Sequence, residues 1–290
     1  MRTHPIGATP STVAELDGTQ ARQDPGTAEL RFVQSGSRTV VQRAFATSPL
    51  RLLNPRAAGR AAWVYAATYG GGLVGGDEIH ISVDVGPGAR ALLATQASTK
   101  VYRSTTQASQ QIAGRVSDDG LLAVVPDPVV CFAGSAFSQV QRYHLESGGS
   151  LVALDWITSG RHAGGERWAF HRYSSRLELW RQGRRILYDG LLLDQQDGSV
   201  SDRMDRFNVY LLAVLAGPLV STLAGQFVKT ISSAPIERGS DLIISAACLR
   251  DDIALMRIAG VSVEQVAATL RGGLAFLIPL LGDDPWTRKW

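Results

Sequence analysis

Hydrophobic and polar residues alternate along most of the first two thirds of the chain, which is typical of half-buried strands. The clearest example runs from Ile79 to Val85, where isoleucine or valine occupies every second position. Similar stretches recur at intervals of about 8 to 12 residues, with turn residues between nearly every pair. We therefore predict strands over residues 30–34, 38–45, 62–69, 79–85, 89–95, 111–117, 121–125, 137–145, 151–157, 167–173, 176–181 and 184–188.

The last third of the chain changes to a helical spacing of apolar residues in two places. These positions are Val220, Leu223, Phe227 and Ile231 in the first stripe, and Val263, Val266, Ala267, Leu270, Leu274 and Leu277 in the second. Ser262 and Gln265 form a capping box at the start of the second stripe. Two further strands, at 242–249 and 253–258, are predicted between the helices. The whole pattern predicts a mainly β fold, a sandwich, barrel or solenoid, with two α-helices in the C-terminal third.

The chain is predicted to form a mobile leader and one domain. Residues 1–26 are polar and contain three prolines, whereas residues 27–290 carry the strand and helix patterns. There is no signal-like apolar segment at the N-terminus, and the apolar run from Val209 to Ala216 is too short to span a membrane. We therefore expect a cytoplasmic protein that has no membrane partner.

Charge and cysteine content narrow the classes of partner and site. The formal net charge is +3, and nearly all basic residues are arginines, which suit carboxylates and phosphates. The arginines are scattered without interleaved aromatics, so acidic protein partners are expected and nucleic acid is not. Cys131 and Cys248 form no CxxC pair, and we expect both thiols to be reduced and buried.

Five glycines lie between Tyr69 and Asp77, in a segment that could be mistaken for a phosphate-binding loop. Such a loop needs a helix N-terminus behind it, and a P-loop also ends in Gly-Lys-Ser or Gly-Lys-Thr. Here the strand Ile79 to Val85 comes next instead. We predict a tight turn with positive-φ glycines and close backbone packing.

Two polar segments could carry chemistry. Ser98 and Lys100 form a Ser-x-Lys pattern, but no partner motif accompanies them, which favours a polar strand and turn. Asp155, His162 and Glu166 lie within twelve positions and could hold or pass a divalent metal. The alternative for this second group is a set of salt-bridged loop carboxylates.

Several of these segments together resemble, in the same order along the chain, the UreD (UreH) family of urease accessory proteins. The resemblance is strongest over residues 30–193 and looser beyond them. The matching segments are Gly71–Asp77, Thr99–Ser104, Pro126–Ser135, Asp155–Arg161, Gly165–Glu166 and Arg176–Trp180.

This resemblance implies a β-helix-like (solenoid-like) stack of many short strands with two helices beside it. It also implies a urease-maturation chaperone rather than an enzyme. Such a protein binds UreF, which recruits the GTPase UreG, and docks the assembly onto apo-urease. Nickel would pass through its interior toward the urease active site, with no tightly bound cofactor, and GTP would belong to UreG.

By position, the resemblance puts Thr99, Asp155 and Asp189 beside the nickel passage. Other matching residues are implied to be structural or to lie at interfaces: Gly72, Gly75, Gly76, Asp77, Lys100, Tyr102, Arg103, Arg161, Glu166 and Glu178. Two alternatives stay open. One is a β-solenoid hydrolase that uses Asp155, His162 and Glu166, and the other is a structural adaptor with no role in metal transfer.

Overall fold

A computed structural model of the protein describes residues 24–56, 58–233, 235 and 237–286, so most of the predicted leader lies outside the described residues. The strands are β1 (Gly26–Ser35), β2 (Arg38–Ala46), β3 (Leu50–Leu53), β4 (Ala62–Thr68), β5 (Glu78–Val85), β6 (Arg90–Thr95), β7 (Thr99–Val101), β8 (Ala108–Val116), β9 (Leu121–Val124), β10 (Val129–Cys131), β11 (Ala136–Leu145), β12 (Ser150–Thr158), β13 (Arg172–Arg181), β14 (Arg184–Asp194), β15 (Val209–Ala216), β16 (Leu242–Arg250) and β17 (Ile253–Gly260). The α-helices are α1 (Val200–Met204), α2 (Pro218–Ser233), α3 (Val263–Gly273) and α4 (Leu277–Leu281).

The strands form two sheets. The seven-stranded sheet has the order β14-β13-β11-β8-β5-β1-β2, and the main path of the ten-stranded sheet is β16-β17-β15-β12-β9-β6-β4-β3. From β4 to β13 the chain passes repeatedly from one sheet to the other, and neighbouring strands within each sheet over this region are parallel. The strands β7 and β10 pair with each other beside β12.

The molecule has three layers, the seven-stranded sheet, the ten-stranded sheet and the helices, with a hydrophobic core between each neighbouring pair. The first core lies between the sheets, where β5 directs Ile79, Ile81 and Val83 inward. The second lies between the ten-stranded sheet and helices α2, α3 and α4. Strand β15 is covered on both faces, with Leu212 in the first core and Leu211 in the second. This double burial accounts for its uninterrupted apolar sequence.

The prediction of a mainly β fold is confirmed, and α2 and α3 lie where helices were expected. The count of two helices is wrong, because the short helices α1 and α4 are also present. The second apolar stripe breaks at Gly273, where a side chain would collide with the ring of Phe227. The described strands form two facing sheets. Their order does not establish a solenoid-like stack, which therefore stays a prediction.

The predicted strand at 167–173 is wrong for all but its end, because β13 begins at Arg172. The preceding residues anchor a loop instead: the Arg167 Nε donates to Asn208 Oδ1 at 2.7 Å, and the Trp168 indole donates to the Phe207 carbonyl at 2.8 Å. Trp168 also has a positive φ of 54°, which a strand excludes.

The expectation for the cysteines is correct at one position only. Cys131 is buried in β10, and this burial raises the pKa of its thiol to about 12. Cys248 is exposed: it lies in the second half of the edge strand β16, where the last four residues are all exposed.

The longest helix in the described part of the chain, α2, has 16 residues. No helix among the described residues is long and apolar enough to cross a membrane.

Candidate functional site

A cavity of about 120 Å³ extends from the protein surface into the space between the two sheets. Exposed residues of the glycine segment and of the β6–β7 loop, including Gly71 and Ala97, form its mouth. Thr99 lines the cavity, and Asp155 lies at its buried end. The structure therefore brings together two of the three residues that the resemblance assigned to a passage.

Asp155 is held in the interior by three side chains of the seven-stranded sheet. Strand β12 directs it toward that sheet, on the same side as Ile157 in the first core. Its Oδ1 accepts hydrogen bonds from the Gln139 Nε2 at 2.5 Å and the Tyr173 hydroxyl at 3.0 Å. Its Oδ2 accepts from the Ser175 hydroxyl. The carboxylate is thus oriented by donors on β11 and β13.

Burial raises the pKa of Asp155 above its usual range, because the charged form loses its hydration. The three hydrogen bonds oppose this shift, and the negative charge of Asp189 adds to it. Asp155 therefore holds a proton to a higher pH than an exposed carboxylate does. A cation that approached Asp155 would favour the ionised form.

Two glutamines of β11 add polar atoms to the cavity wall, and sequence reasoning missed both of them. Gln139 and Gln141 are buried, and the Gln141 Oε1 accepts from the Tyr143 hydroxyl at 2.6 Å. Their signal was present in the sequence. In the alternating strand Phe137 to Leu145 both glutamines occupy inward positions, where the pattern otherwise places apolar residues.

Asp127 was also missed as a lining residue of the cavity. The Thr95 hydroxyl donates to its Oδ2 at 3.1 Å and accepts from its backbone N–H at 2.7 Å. This reciprocal pair joins the end of β6 to the loop between β9 and β10. A second carboxylate, partly buried, therefore lines the same cavity as Asp155.

Asp189 does not line the cavity but lies farther along the same interior, on β14. It forms an ion pair with Arg257 of β17, so the pair joins the two sheets near their open edges. Tyr210 on β15 lies beside this pair. Burial raises the pKa of Tyr210, the Arg257 charge opposes that shift, and both Asp189 and Asp155 reinforce it.

The glycine segment is a turn that packs against the strand β7, as predicted. Leu73 forms a parallel bridge with Val101, and its backbone N–H donates to the Lys100 carbonyl at 2.7 Å. Gly72 has no room for a side chain, because a Cβ would lie 2.7 Å from that same carbonyl. Asp77 caps the turn by accepting from the Val74 N–H at 2.8 Å.

Gly75 and Gly76, in the same segment, have different reasons to be glycine. A Cβ on Gly75 would lie 2.4 Å from the Thr106 carbonyl, so its backbone packs directly against the β7–β8 loop. Gly76 has a φ of +89°, which an L side chain rarely adopts. The turn leads into the strand β5 rather than a helix, so this segment offers no helix N-terminus to a phosphate.

A cluster of five residues joins four of the motif segments at this end of the molecule. The rings of Tyr102 and Phe132 meet edge to face at 5.2 Å, and the Arg161 guanidinium lies 4.6 Å from the centroid of the Phe132 ring. Arg161 pairs with Glu166, whose Oε2 accepts from the Ala133 N–H at 3.0 Å. These contacts fix the loops around the mouth.

The remaining motif residues lie at the surface or on the outer face. Lys100 and Arg103 are exposed, and the Arg103 stem packs near Gly134. Glu178 lies on the outer side of β13, where it accepts from the Arg142 Nε at 2.9 Å and also pairs with Arg176. These contacts lower the pKa of Glu178, with the Arg142 hydrogen bond as the largest cause. Its role is to anchor arginines on the sheet.

The geometry gives no support to a hydrolytic group formed by Asp155, His162 and Glu166. Asp155 is bonded inside the sandwich, Glu166 is bonded to Arg161 and Ala133, and His162 is exposed in a loop. Among the residues that the structure describes, no group of three or more histidine, cysteine, aspartate or glutamate side chains could hold a metal ion.

Comparison with known proteins identifies relatives over almost the whole chain. The family described as "UreD urease accessory protein" matches residues 24–290. "Urease accessory protein UreD" of Sorangium cellulosum is 49% identical over 265 residues, which cover 91% of this chain and 84% of the relative. "Urease accessory protein D" of Oryza sativa subsp. indica is 35% identical, covering 94% and 99% of the two chains. The protein of the same name from Arabidopsis thaliana is 33% identical, covering 87% and 96%.

Proposed function

Because the chain belongs to the UreD family of urease accessory proteins, we propose that it is a maturation scaffold through which nickel passes. In this proposal it links a UreF–UreG complex to apo-urease and performs no catalysis itself. GTP is bound and hydrolysed by UreG, and nickel is cargo. The observation that carries the proposal is the cavity between the sheets, with Thr99 on its wall and Asp155 at its buried end.

The interior supports transit because its ligands are oxygens that are not gathered into a cage. Thr99, Asp127 and Asp155 offer hydroxyl and carboxylate oxygens along the cavity wall, and Asp155 is the most buried of the three. Such separated oxygen ligands hold a cation more loosely than a closed histidine or cysteine site does. A cation can then move from one ligand to the next instead of being retained.

The side chains around Asp155 prepare it for a passing cation. Gln139, Tyr173 and Ser175 orient the carboxylate and stabilise its ionised form. A bound divalent cation displaces any proton on Asp155, and once the cation leaves, burial again favours protonation. The raised pKa therefore weakens retention of the cation and assists its release, while the three hydrogen bonds favour the ionised form that captures it.

Beyond Asp155, the route that we propose leads to Asp189. The ion pair between Asp189 and Arg257 occupies the open edge between the sheets, and its guanidinium would repel a divalent cation. Passage at this end therefore requires the Arg257 side chain, which is about half exposed, to swing away from Asp189. Docking of a partner on this edge would supply that change.

Exposed apolar residues beside the mouth support docking of a partner there. Tyr69 and Val74 flank the glycine segment, and both have more than half of their surface exposed. The cluster around Phe132 and the Gly75 contact hold this rim in one conformation. A partner that covers the rim would deliver nickel directly into the cavity and keep it out of bulk solvent.

The test neutralises the two carboxylates of the route without changing their shape. We expect Asp155→Asn together with Asp189→Asn to lower urease activation at limiting nickel, while the purified complex with UreF, UreG and apo-urease still forms. Asp84→Asn is the matched control, because Asp84 is an exposed carboxylate paired with Arg31 on the outer face. Unchanged activation in an intact complex would refute the passage. That outcome would leave the structural adaptor as the function.

A further inference from the structure

A second pocket, of about 270 Å³, lies at the opposite edge of the sandwich from β2 and β3. It is formed where the β13–β14 turn of one sheet meets the β16–β17 turn of the other. Its lining consists of four arginines, one glutamine and one isoleucine: Arg181, Arg184, Arg185, Arg250, Gln182 and Ile186. No residue of the proposed nickel route lines this pocket, so the route does not account for its arginines.

Most of the positive charge in this arginine pocket is not neutralised by the protein itself. Arg181 pairs with Asp252 at 2.6 Å. Among the described residues, Arg184, Arg185 and Arg250 form no ion pair. The pocket therefore gathers guanidinium groups whose mutual repulsion an added anion would relieve.

Two of the guanidinium groups are held in place before anything binds. The bond between Arg181 and Asp252 joins the two turns and fixes the floor of the pocket. Arg185 lies over two aromatic rings, 4.9 Å from the centroid of Tyr188 and 6.0 Å from that of Trp180. Such contacts reduce the conformational entropy that an arginine side chain loses when it binds a ligand. They also leave its planar guanidinium oriented to recognise carboxylates.

The surroundings of the pocket favour an extended polypeptide over a small anion. Strand β16 is an edge strand of the ten-stranded sheet, with one side unpaired in the described structure, and it leads directly to Arg250. Leu249, at a bulge beside Arg250, and Tyr188, beside Arg185, each have about half of their surface exposed. An extended segment could pair along β16, cover these apolar side chains and place its carboxylates among the arginines.

We propose that this arginine pocket and the adjoining edge strand β16 form a docking site for an acidic, extended segment of a partner protein. The charge complementarity and the free strand edge specify the chemistry of that segment: carboxylate side chains interleaved with apolar ones. None of the pocket arginines pairs with Asp155 or Asp189 or lines the cavity, so the docking site can be tested without altering the nickel ligands.

The experiment measures binding of a fluorescently labelled peptide of alternating glutamate and valine to the full chain. We expect Arg184→Gln together with Arg250→Gln to weaken binding by about tenfold for each lost guanidinium. Arg238→Gln is the matched control, because Arg238 is an exposed arginine in the loop before β16. It should leave binding unchanged. The free energy of unfolding of each variant shows whether the fold is retained.

Two further arms separate the possible outcomes. A peptide of alternating lysine and valine should not bind, and added salt should weaken the glutamate peptide because exposed charges are screened. Inorganic phosphate should compete only weakly. Binding that survives loss of Arg184 and Arg250 would overturn the docking site. Competition by phosphate as strong as that of unlabelled peptide would also overturn it, in favour of a simple anion site.

Discussion

At the scale of single residues, the most unusual group in the molecule is the carboxylate of Asp155. Burial of a charge is costly unless hydrogen bonds compensate, and here Gln139, Tyr173 and Ser175 supply three of them. An apolar residue of similar volume would pack between the sheets without this cost. The presence of a carboxylate at this position is therefore explained by function better than by stability.

The raised pKa of Asp155 gives a prediction about stability and pH. The folded state binds its proton more tightly than the unfolded state does. The contribution of Asp155 to stability therefore falls as pH rises from the unfolded-state pKa to the raised folded-state pKa, and is constant above it. Asp155→Asn removes this dependence. Urea unfolding at a series of pH values from about pH 4 upward should show the variant gaining stability relative to wild type as the pH rises.

The control for this measurement is Asp84→Asn, which changes an exposed carboxylate on the outer face of β5. Its difference from wild type should stay within about 0.5 kcal/mol across the same range, because surface ion pairs contribute little. A constant difference in stability between Asp155→Asn and wild type across the series of pH values would show that burial does not raise the pKa of Asp155.

At the scale of elements, the glycine segment illustrates how steric fit fixes a turn. Gly75→Ala would place a Cβ against the Thr106 carbonyl and the Ser104 side chain. We expect it to lower the free energy of unfolding by about 1–3 kcal/mol, the usual cost of overpacking. Chemical denaturation measures this loss. Gly225→Ala is the control: it lies in α2 with open space around it, and should raise stability by up to about 1 kcal/mol.

The helical layer is the second element whose contribution can be measured. Leu270 of α3 is fully buried against the ten-stranded sheet, so Leu270→Ala should cost about 2–5 kcal/mol of unfolding free energy. Leu223→Ala in α2 is the matched control, because more than a third of that side chain is exposed. A small effect of Leu270→Ala would mean that the helices are not part of the cooperative core.

Much of this element structure could be predicted from the sequence, because alternation directly reports strands with one buried face. The alternation of apolar and polar residues predicted the bounds of β5 and β11 to within one residue. It could not identify Val209–Ala216 as a strand, since a segment buried on both faces has no alternation. The alternation also could not show that Thr99 and Asp155, which the resemblance singled out, line one cavity. Nor could it show that Asp189 pairs with Arg257. Such contacts depend on how the two sheets face each other.

At the scale of the whole molecule, the three layers have different tasks. The ten-stranded sheet is covered by helices on one face and forms the cavity with the seven-stranded sheet on the other. The outer face of the seven-stranded sheet carries ion pairs such as those of Glu178. The mouth lies at one border of the sandwich, and the β14/β16 edge, which carries both the Asp189–Arg257 pair and the arginine pocket, lies at another. A scaffold of this form can therefore hold more than one partner at once.

The central claim is that nickel travels through the interior, and a steric plug tests it most directly. Ser98 lines the cavity near its mouth, and Ser98→Trp would fill the opening without changing any charge. Ser82→Trp is the matched control, because Ser82 is exposed on the outer face of β5. The measurement is transfer of radioactive nickel from the purified assembly into apo-urease. We predict that Ser98→Trp blocks transfer in an intact complex and that Ser82→Trp does not. Equal transfer by the two variants would contradict the account.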